Sequence, residues 1–461
     1  MSGSSTKRPP SDGVVGVKIN DWAAGGRGLG RVEGRVWMVA GAVPGDEVDA
    51  RILKDHGRFV EAVAHSWTRL SSSRRQASCP IQGQCGGCPL MVVPEDMQRG
   101  AKRRFIVDAL QRIGHLPADV TVNEVVAAPT NLGYRNKIEL SFGPGPSGAT
   151  VLGYHRAGSP SSLVDVEDCA IADPRLRPLL DAARNFFLGG DGACEPAIKN
   201  AREPVRVVLR SSSHRDERLV VLRGLAGPFE TAGAFARAAA EADPGLVGVV
   251  RLLAARGRRG GATTETITGR GWLADEIHGT SFRIPAGTFL QVHAAAAERL
   301  GSHVLEGAGA PGAVLELYGG IGSLGLALAR AGARATIVDA DPAAIACGTE
   351  AARAHGLTTA AFEKADVLAF LETRHHALPP DLVIADPPRT GLGRGVAKRL
   401  AATGAARLAM VSCDPATLAR DLATLVSHGY EIEQVTPFDL FPQTAHVEAV
   451  AWLRRASSRR R

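Results

Sequence analysis

A glycine-rich turn between an apolar strand and a helix is the feature that most restricts how this chain can fold. The run Val314–Gly325 (VLELYGGIGSLG) contains G-x-G-x-x-G at Gly320, Gly322 and Gly325, and the next apolar strand ends at Asp339. Such glycines permit a tight turn and close approach of a ligand to the backbone, and an acid at the next strand end can accept both hydroxyls of a ribose. The pattern predicts a nucleoside-cofactor site, and by itself it fits either a dinucleotide or S-adenosylmethionine.

Around that turn, strands and helices alternate as they do in a doubly wound parallel sheet. Strands are predicted at Ala313–Tyr318, Ala335–Ala340, Leu382–Ala385 and Leu408–Ser412, and helices at Ser323–Ala331, Pro342–His355 and Pro415–His428. Two further strands, Tyr430–Val435 and Val447–Leu453, are expected to form an antiparallel pair. The C-terminal part is therefore predicted to be a Rossmann-like α/β domain.

Two of these strand ends carry candidate reactive groups. The acid-and-proline turn Asp386-Pro-Pro-Arg follows one strand, as in methyltransferases, where such a turn lines the cleft between cofactor and substrate base; it disfavours a dehydrogenase. Cys413 follows the next strand, close to a helix N-terminus that favours thiolate, so it can act as a nucleophile. Glu448 precedes the final strand and can serve as a base over the same cleft, whereas His446 is expected to form structural hydrogen bonds.

Three cysteines in the N-terminal part are spaced to surround one inorganic centre. Cys79, Cys85 and Cys88 form C-x5-C-x2-C with two glycines between the last two. Zinc and iron–sulphur clusters both take four ligands, and Cys169 is the best candidate for the fourth. The proline after Cys88 resembles ferredoxin loops and favours 4Fe-4S over zinc, and the spacing is not the C-x3-C-x2-C of radical enzymes.

The N-terminal half reads as two smaller units. Strands at Val14–Ile19, Gly34–Val39, Glu47–Leu53 and Val60–Ala64, with turns at Gly25-Gly26, Gly28, Gly30 and Pro44-Gly45, predict a small OB-like barrel. The following region is predicted to be α+β, with a basic helix at Met97–Leu116 and strands at Lys137–Phe142, Val205–Leu209, Arg218–Leu222 and Gly248–Leu253.

Composition and charge limit the compartment and the partners. The 461 residues contain 54 Lys and Arg against 47 Asp and Glu, and this net charge of +7 permits a polyanionic partner such as RNA. No stretch approaches the roughly 18 apolar residues of a membrane span. The leader at 1–13 has no apolar segment typical of a signal peptide, and seven cysteines in such a chain favour metal binding or catalysis, so a cytoplasmic location is expected.

Together these motifs resemble the uracil-5 RNA methyltransferase family, which forms 5-methyluridine in rRNA and tRNA. The most specific matches are Ser412–Asp421 (SCDPATLARD) and Phe441–Glu448 (FPQTAHVE). The resemblance implies an α/β fold class with an N-terminal OB-like β-barrel, an α+β central domain with an iron–sulphur loop, and a C-terminal doubly wound Rossmann-like methyltransferase domain. The expected boundaries are a leader at 1–13, a TRAM RNA-binding domain at 14–68, a central domain at 69–275 with helix 97–116 packed on the methyltransferase domain, that domain at 276–456, and a basic tail at 457–461.

The resemblance also implies a role for each matching residue. Cys413 is the expected nucleophile and Glu448 the base that removes the C5 proton. The expected contacts of S-adenosyl-L-methionine are Gln291, Tyr318, Gly320, Gly322, Ser323, Asp339, Asp366 and Asp386, and the expected 4Fe-4S ligands are Cys79, Cys85, Cys88 and Cys169. Ser323 and Asp366 replace other polar residues of the family, Gly319 stands where many relatives have cysteine, and Tyr134–Lys137 (YRNK) is expected to face RNA phosphate.

The expected function is therefore formation of 5-methyluridine, in 23S rRNA rather than in tRNA, by a cytoplasmic monomer that does not bind membranes. A methyltransferase acting on the T-loop of tRNA is the first alternative. The substitutions at Gly319 and Ser323 motivate a second, a catalytically silent RNA-binding iron–sulphur protein. A third, an iron–sulphur oxidoreductase that binds NAD, is disfavoured by the Asp386 and Cys413 motifs.

Overall fold

A closed barrel, two seven-stranded sheets and a hairpin organise the chain. The structure is a computed structural model that describes residues 13–189, 198, 205–224, 227, 229–253, 263–373 and 379–456. Nearly all of the leader and the whole basic tail at 457–461 lie outside the described residues. Within these ranges, no helix combines the length and the apolar character needed to cross a membrane.

The N-terminal barrel is closed by five strands in the order β1-β2-β3-β5-β4. The strands are β1 (Val14–Ala23), β2 (Arg27–Val32), β3 (Arg35–Ala40), β4 (Glu47–Asp55) and β5 (Phe59–Arg69). The predicted OB-like barrel is confirmed, but Gly28 and Gly30 lie inside β2 instead of forming turns. A Cβ atom at Gly28 would lie 2.7 Å from the Ile19 side chain, and one at Gly30 would lie 2.5 Å from the Lys18 carbonyl, so glycine here permits close strand packing.

The central sheet has the order β12-β11-β10-β9-β6-β7-β8. Its strands are β6 (Lys137–Pro144), β7 (Thr150–Arg156), β8 (Ser159–Asp165), β9 (Arg206–Ser211), β10 (Arg218–Arg223), β11 (Leu246–Leu253) and β12 (Thr263–Gly269). Helices α2 (Arg177–Leu188) and α3 (Ala232–Ala242) pack their apolar residues into the same core as this sheet. The hairpin of β13 (Trp272–Ile277) and β14 (Thr280–Pro285) follows.

The C-terminal sheet has the order β17-β16-β15-β18-β19-β21-β20, which confirms the predicted doubly wound α/β fold. Its strands are β15 (Ala313–Leu317), β16 (Arg334–Asp339), β17 (Ala360–Lys364), β18 (Leu382–Ala385), β19 (Arg407–Ser412), β20 (Tyr430–Phe438) and β21 (Glu448–Arg455). Its helices are α4 (Ala294–Ala308), α5 (Ser323–Arg330), α6 (Pro342–Ala354), α7 (Val367–Thr373), α8 (Gly393–Ala402) and α9 (Pro415–Ser427). The first five strands are parallel, and β21 is antiparallel to both of its neighbours.

Helix α1 (Glu95–Arg112) connects the parts of the chain. One group of its buried side chains, Ile106, Ala109 and Leu110, belongs to the core beneath the C-terminal sheet. Another, Ala101 and Phe105, shares a cluster with Trp22 and Val43 of the barrel region and with Leu90, Val92 and Val93 of the segment before the helix. The helix therefore contacts both the barrel region and the C-terminal sheet.

Candidate active site

The predicted nucleotide turn lies at the carboxyl edge of the C-terminal sheet, between β15 and α5. Gly320 and Gly322 have φ values of +55° and +74°, and Tyr318 adopts a left-handed φ of +58° although it is not glycine. The Asp339 carboxylate accepts the N–H of Gly320 at 2.8 Å, which joins the turn to the end of β16. An acid and a turn of exposed backbone therefore face the same space, as a ribose-binding site requires.

A cleft of about 760 Å³ opens beside this turn. Its walls come from the strand ends of the C-terminal sheet and from the segment around Thr288–Val292. The expected site residues on its lining are Gln291, Tyr318, Gly320, Asp339, Asp386, Cys413 and Glu448. The volume is sufficient for a nucleoside cofactor together with one base.

Cys413 and Glu448 reach this cleft from neighbouring strands. Ser412 of β19 pairs with Ala449 of β21, so the residues adjoining this pair emerge at one edge of the sheet. Asp414 caps helix α9 by accepting the N–H of Thr417 at 2.8 Å, which fixes the start of the helix directly after Cys413. The fold thus brings the expected nucleophile and the expected base together.

The electrostatics of the cleft differ from the expectation of a ready thiolate. Burial raises the pKa of the Cys413 thiol to about 11, the negative charge of Glu448 adds to this rise, and Arg389 opposes it. Burial likewise raises the pKa of Glu448 well above its usual range, and repulsion from Asp386 adds to that rise. These effects exceed the stabilisation of a thiolate that the nearby helix N-terminus predicts.

Asp386 is open to solvent through the cleft, but the surrounding walls displace enough water to raise the pKa of its carboxyl to about 6. The Cys413 thiol and the carboxyl groups of Glu448 and Asp386 therefore share one partly desolvated space with Arg389. Such an arrangement favours binding of a positively charged ligand group among them.

Three of the expected cofactor contacts, Gly322, Ser323 and Asp366, lie outside the lining of this cleft. Gly322 directly precedes α5. Ser323 begins α5 and lines a second cavity, which shares the bordering residues Gln291 and Asp386 with the cleft. Asp366 is exposed, and its carboxylate accepts the N–H of Ala369 at the start of α7. Burial raises the pKa of Tyr318 to about 12 and the charge of Asp366 adds to the rise, so Asp366 lies near Tyr318.

The lining of the cleft also includes the side chains of Arg135, Phe289, Arg389 and His446. Arg135, which was expected to face RNA phosphate, is half-buried. Burial raises the pKa values of Cys85, Cys88 and Cys169, and the positive charge of Arg135 opposes that rise. The His446 ring is exposed to the cleft, where desolvation and the nearby cations Arg389, Arg135 and Lys102 lower its pKa to about 4. Phe289 lines the cleft and is 70% exposed, which marks it as a candidate ligand contact. The sequence alone does not show that this aromatic side chain is exposed.

The four expected cluster ligands enclose a separate pocket. Cys79, Cys85, Cys88 and Cys169 line it together with apolar side chains that include Ile81 and Met91. Burial raises the pKa of Cys88 to about 12, and repulsion from Cys169, Cys85 and Cys79 adds to the rise. Within the part of the chain that the structure describes, no three potential ligands are close enough together to bind a single metal ion.

Comparison with known proteins gives a consistent assignment. A family model described as tRNA (Uracil-5-)-methyltransferase matches residues 270–456, and a TRAM domain model matches residues 14–64. An uncharacterised RNA methyltransferase of Thermosynechococcus vestitus is 35% identical over 95% of this chain and 98% of its own length. The 23S rRNA (uracil(1939)-C(5))-methyltransferase RlmD of Pseudomonas fluorescens is 32% identical over 97% of this chain and 96% of its own.

The tRNA (uracil-54, C5)-methyltransferase of Pyrococcus abyssi, solved in complex with S-adenosyl-L-homocysteine, has a similar structure. The TM-score is 0.72, the identity is 24%, and the match covers 95% of this chain and all of that one. This likeness extends the agreement in fold across the barrel, the central sheet and the C-terminal sheet.

Proposed function

Because the chain belongs to the family of uracil-5 RNA methyltransferases, we propose that it converts a uridine of 23S rRNA to 5-methyluridine with S-adenosyl-L-methionine as the methyl donor. The observation that carries this proposal is the meeting of Cys413 and Glu448 at one sheet edge, in a cleft that also contains the Asp339 ribose acceptor. The relative from Pseudomonas fluorescens, whose name specifies 23S rRNA, and the four clustered cysteines support rRNA as the substrate.

We assign the cofactor contacts to Gln291, Tyr318, Gly320, Gly322, Ser323, Asp339, Asp366 and Asp386. In this assignment, Asp339 accepts the ribose hydroxyls, while Gln291, Ser323 and Asp386, which line the second cavity together, surround the methionine end. Bound S-adenosylmethionine supplies an electrophilic methyl group and a positive charge among three acidic groups. A cytoplasmic monomer remains the expected form of the enzyme.

The reaction follows from the chemistry of Cys413 and Glu448. C5 of uracil is a poor nucleophile, so the Cys413 thiolate first adds to C6, and the former C5=C6 electron pair becomes an enolate. C5 of this enolate takes the methyl group of the substrate S-adenosylmethionine as the S–CH3 bond breaks, and the electron pair of that bond stays on the sulphur of the departing S-adenosylhomocysteine. Glu448 then removes the C5 proton, the C–H electron pair restores the C5=C6 bond, and the S–C6 bond breaks to release the thiolate. The target base must leave its stack to reach the cleft, which is least costly in an RNA loop.

The experiment that tests this proposal offers 23S rRNA and tRNA transcripts separately, with methyl-labelled S-adenosylmethionine. We expect 5-methyluridine in 23S rRNA. The rate should fall at least 1,000-fold in Cys413→Ala, which corresponds to an increase of about 4 kcal/mol in the activation free energy, because the variant lacks the covalent catalyst. Cys347→Ser, at a buried cysteine of α6 away from the cleft, is the matched control. Label in tRNA alone would replace the proposed substrate, and label in neither RNA would reject the activity.

We further propose that Cys79, Cys85, Cys88 and Cys169 bind a 4Fe-4S cluster. Zinc holds thiolates at about 2.3 Å, which places four of them only about 3.8 Å apart, whereas a cluster with iron at its corners needs a wider spacing. The chemistry of the donor set supports the cluster, because four thiols, the ligand type that iron–sulphur clusters take, line one apolar pocket. Such a cluster would lie outside the methyl-transfer chemistry.

Iron and acid-labile sulphide analysis of anaerobically purified protein tests the cluster proposal. About four iron and four sulphide ions per chain are expected, with loss of both in Cys169→Ser and retention in the Cys347→Ser control. One zinc ion per chain and no sulphide would contradict the cluster.

A further inference from the structure

The turn between β20 and β21 directly precedes the proposed base, Glu448, and is held in shape by residues distant in the sequence. Its central residue, Gln443, is only 1% exposed and has a φ of +70°, in the left-handed region that non-glycine residues seldom adopt. His446 and Glu448 follow three and five residues later. The direction of this turn therefore influences where both side chains enter the cleft.

Three consecutive backbone carbonyls of the turn, those of residues 441–443, each accept a hydrogen bond from a different donor in residues 90–134. Lys102 Nζ donates to the first at 3.0 Å, the Tyr134 hydroxyl to the second at 2.9 Å, and the Leu90 N–H to the third at 3.0 Å. No surface turn needs such support, because water satisfies exposed carbonyls. The cysteine-bearing segment, α1 and the segment before β6 thus form one cradle for the turn.

Gln98 of α1 completes this cradle with a reciprocal pair of amide bonds. The N–H of Gln443 donates to Gln98 Oε1 at 2.9 Å, and Gln98 Nε2 donates to Gln443 Oε1 at 2.9 Å. Gln98 has no exposed surface, and its Nε2 also donates to the Leu90 and Val93 carbonyls at 3.0 Å each. A side chain with both a donor and an acceptor is required at position 98, so neither Glu nor Met can replace it.

We infer that Gln443 and Gln98 are positioning residues for the proton-removal step, because their amide pair fixes the strained turn that places Glu448 beside the substrate-binding cleft. This inference rests on the proposed function and adds to it that the Gln443–Gln98 pair controls the rate of proton removal from C5. Addition of Cys413 to C6 uses β19 and α9, and among the described residues no hydrogen bond of the pair reaches either element. Loss of the pair therefore slows release of the methylated base more than it slows formation of the covalent adduct.

The test compares Gln443→Ala and Gln98→Met with wild type on the same RNA. We expect kcat to fall at least tenfold while KM for RNA and for S-adenosylmethionine stays within twofold. We also expect a protein–RNA adduct that survives denaturing electrophoresis to accumulate on ordinary RNA, as in a Glu448→Gln reference. Gln434→Ala is the matched control, because it removes a different amide contact, that from Asn123 to β20, and leaves the turn intact.

RNA that carries 5-fluorouridine separates positioning from misfolding, because the fluorinated base has no C5 proton to remove. Wild type and both variants should form the trapped adduct on this RNA at rates within twofold of each other. Adduct formation that falls in parallel with turnover would overturn the inference, as would unchanged turnover. Wild-type protein that forms neither adduct nor 5-methyluridine would overturn the proposed function and this inference with it.

Discussion

The charge on Cys413 is set by a few neighbours with opposing effects. Burial and Glu448 raise the pKa of the thiol to about 11, and Arg389 lowers it. At pH 8 only about one thiol in 1,000 is then ionised, so alkylation should be slow and should rise about tenfold per pH unit up to pH 10. This sensitivity to pH makes Cys413 a reporter of the charges in its own cleft.

Arg389→Met should raise the pKa of Cys413 further and slow its alkylation by iodoacetamide about three- to tenfold at each pH from 8 to 10. The physical reason is that the positive charge of Arg389 stabilises the Cys413 thiolate, and the variant lacks that charge. Mass spectrometry of the peptide that contains Cys413 measures the rate. Arg394→Met, at an exposed arginine of α8, should leave it unchanged, and equal rates in all three proteins would contradict the prediction.

Individual residues also show what the sequence can predict about the site. Cys413 and Asp386 could be placed in the cleft because each directly follows an apolar parallel strand, and the carboxyl ends of such strands meet at one edge. Arg135 and His446 could not be placed, because each reaches the cleft only through packing between distant segments. The local sequence pattern around these two residues does not predict that packing.

At the scale of single elements, β15 and the glycine turn share a buried acid. Glu316 accepts the N–H of Gly325 at 2.8 Å, and burial raises the pKa of its carboxyl to about 8. A Cβ atom at Gly319 would lie 3.1 Å from the Glu316 carboxyl carbon and 2.6 Å from the Ile337 side chain. Glycine at position 319 is thus matched to the space that Glu316 occupies beneath the turn.

This carboxyl should make stability decrease as pH rises. The folded protein retains a proton, up to a pKa of about 8, that the unfolded chain releases near 4.5, so unfolding is favoured progressively between those values. Glu316→Gln removes this effect, and the difference in apparent Tm between wild type and variant should shift in favour of the variant from pH 5 to pH 8. Glu241→Gln, at an exposed position of α3, should show no such trend, and a constant difference for Glu316→Gln would refute the prediction.

Elements with strong periodicity were predicted within a few residues, for example α9 and β18. Strand β17 and helices α7 and α8 were not predicted. Residues Ala360–Lys364 (AAFEK) form a short edge strand with few strongly apolar side chains, so their sequence resembles that of a loop. They become a strand by pairing with β16. Edge position, rather than local propensity, determines this strand.

For the molecule as a whole, a buried ion pair joins helix α1 to the C-terminal sheet. Lys102 and Asp439 contact each other with 0% and 1% of their side chains exposed, and Asp439 Oδ2 has no other partner among the described residues. Lys102→Met should therefore lower the free energy of unfolding by about 3–5 kcal/mol, because it leaves a buried carboxylate uncompensated.

Thermal unfolding and proteolysis of α1 measure this effect. The double variant Lys102→Met with Asp439→Leu should be more stable than the single variant, since it removes the uncompensated charge. Lys398→Met, at an exposed lysine of α8, is the control. A single variant as stable as wild type would show that α1 does not depend on this pair.

Strand β21 follows β20 along the chain but lies between β19 and β20 in the sheet. As the polypeptide leaves the ribosome, β20 emerges before the strand that joins it to the sheet, so the edge of β19 remains open until β21 has been synthesised. The insertion of β21 also brings Glu448 next to Cys413. Closure of the sheet and assembly of the proposed catalytic pair are therefore one event, and a nascent chain that stops before it has the proposed nucleophile without the proposed base.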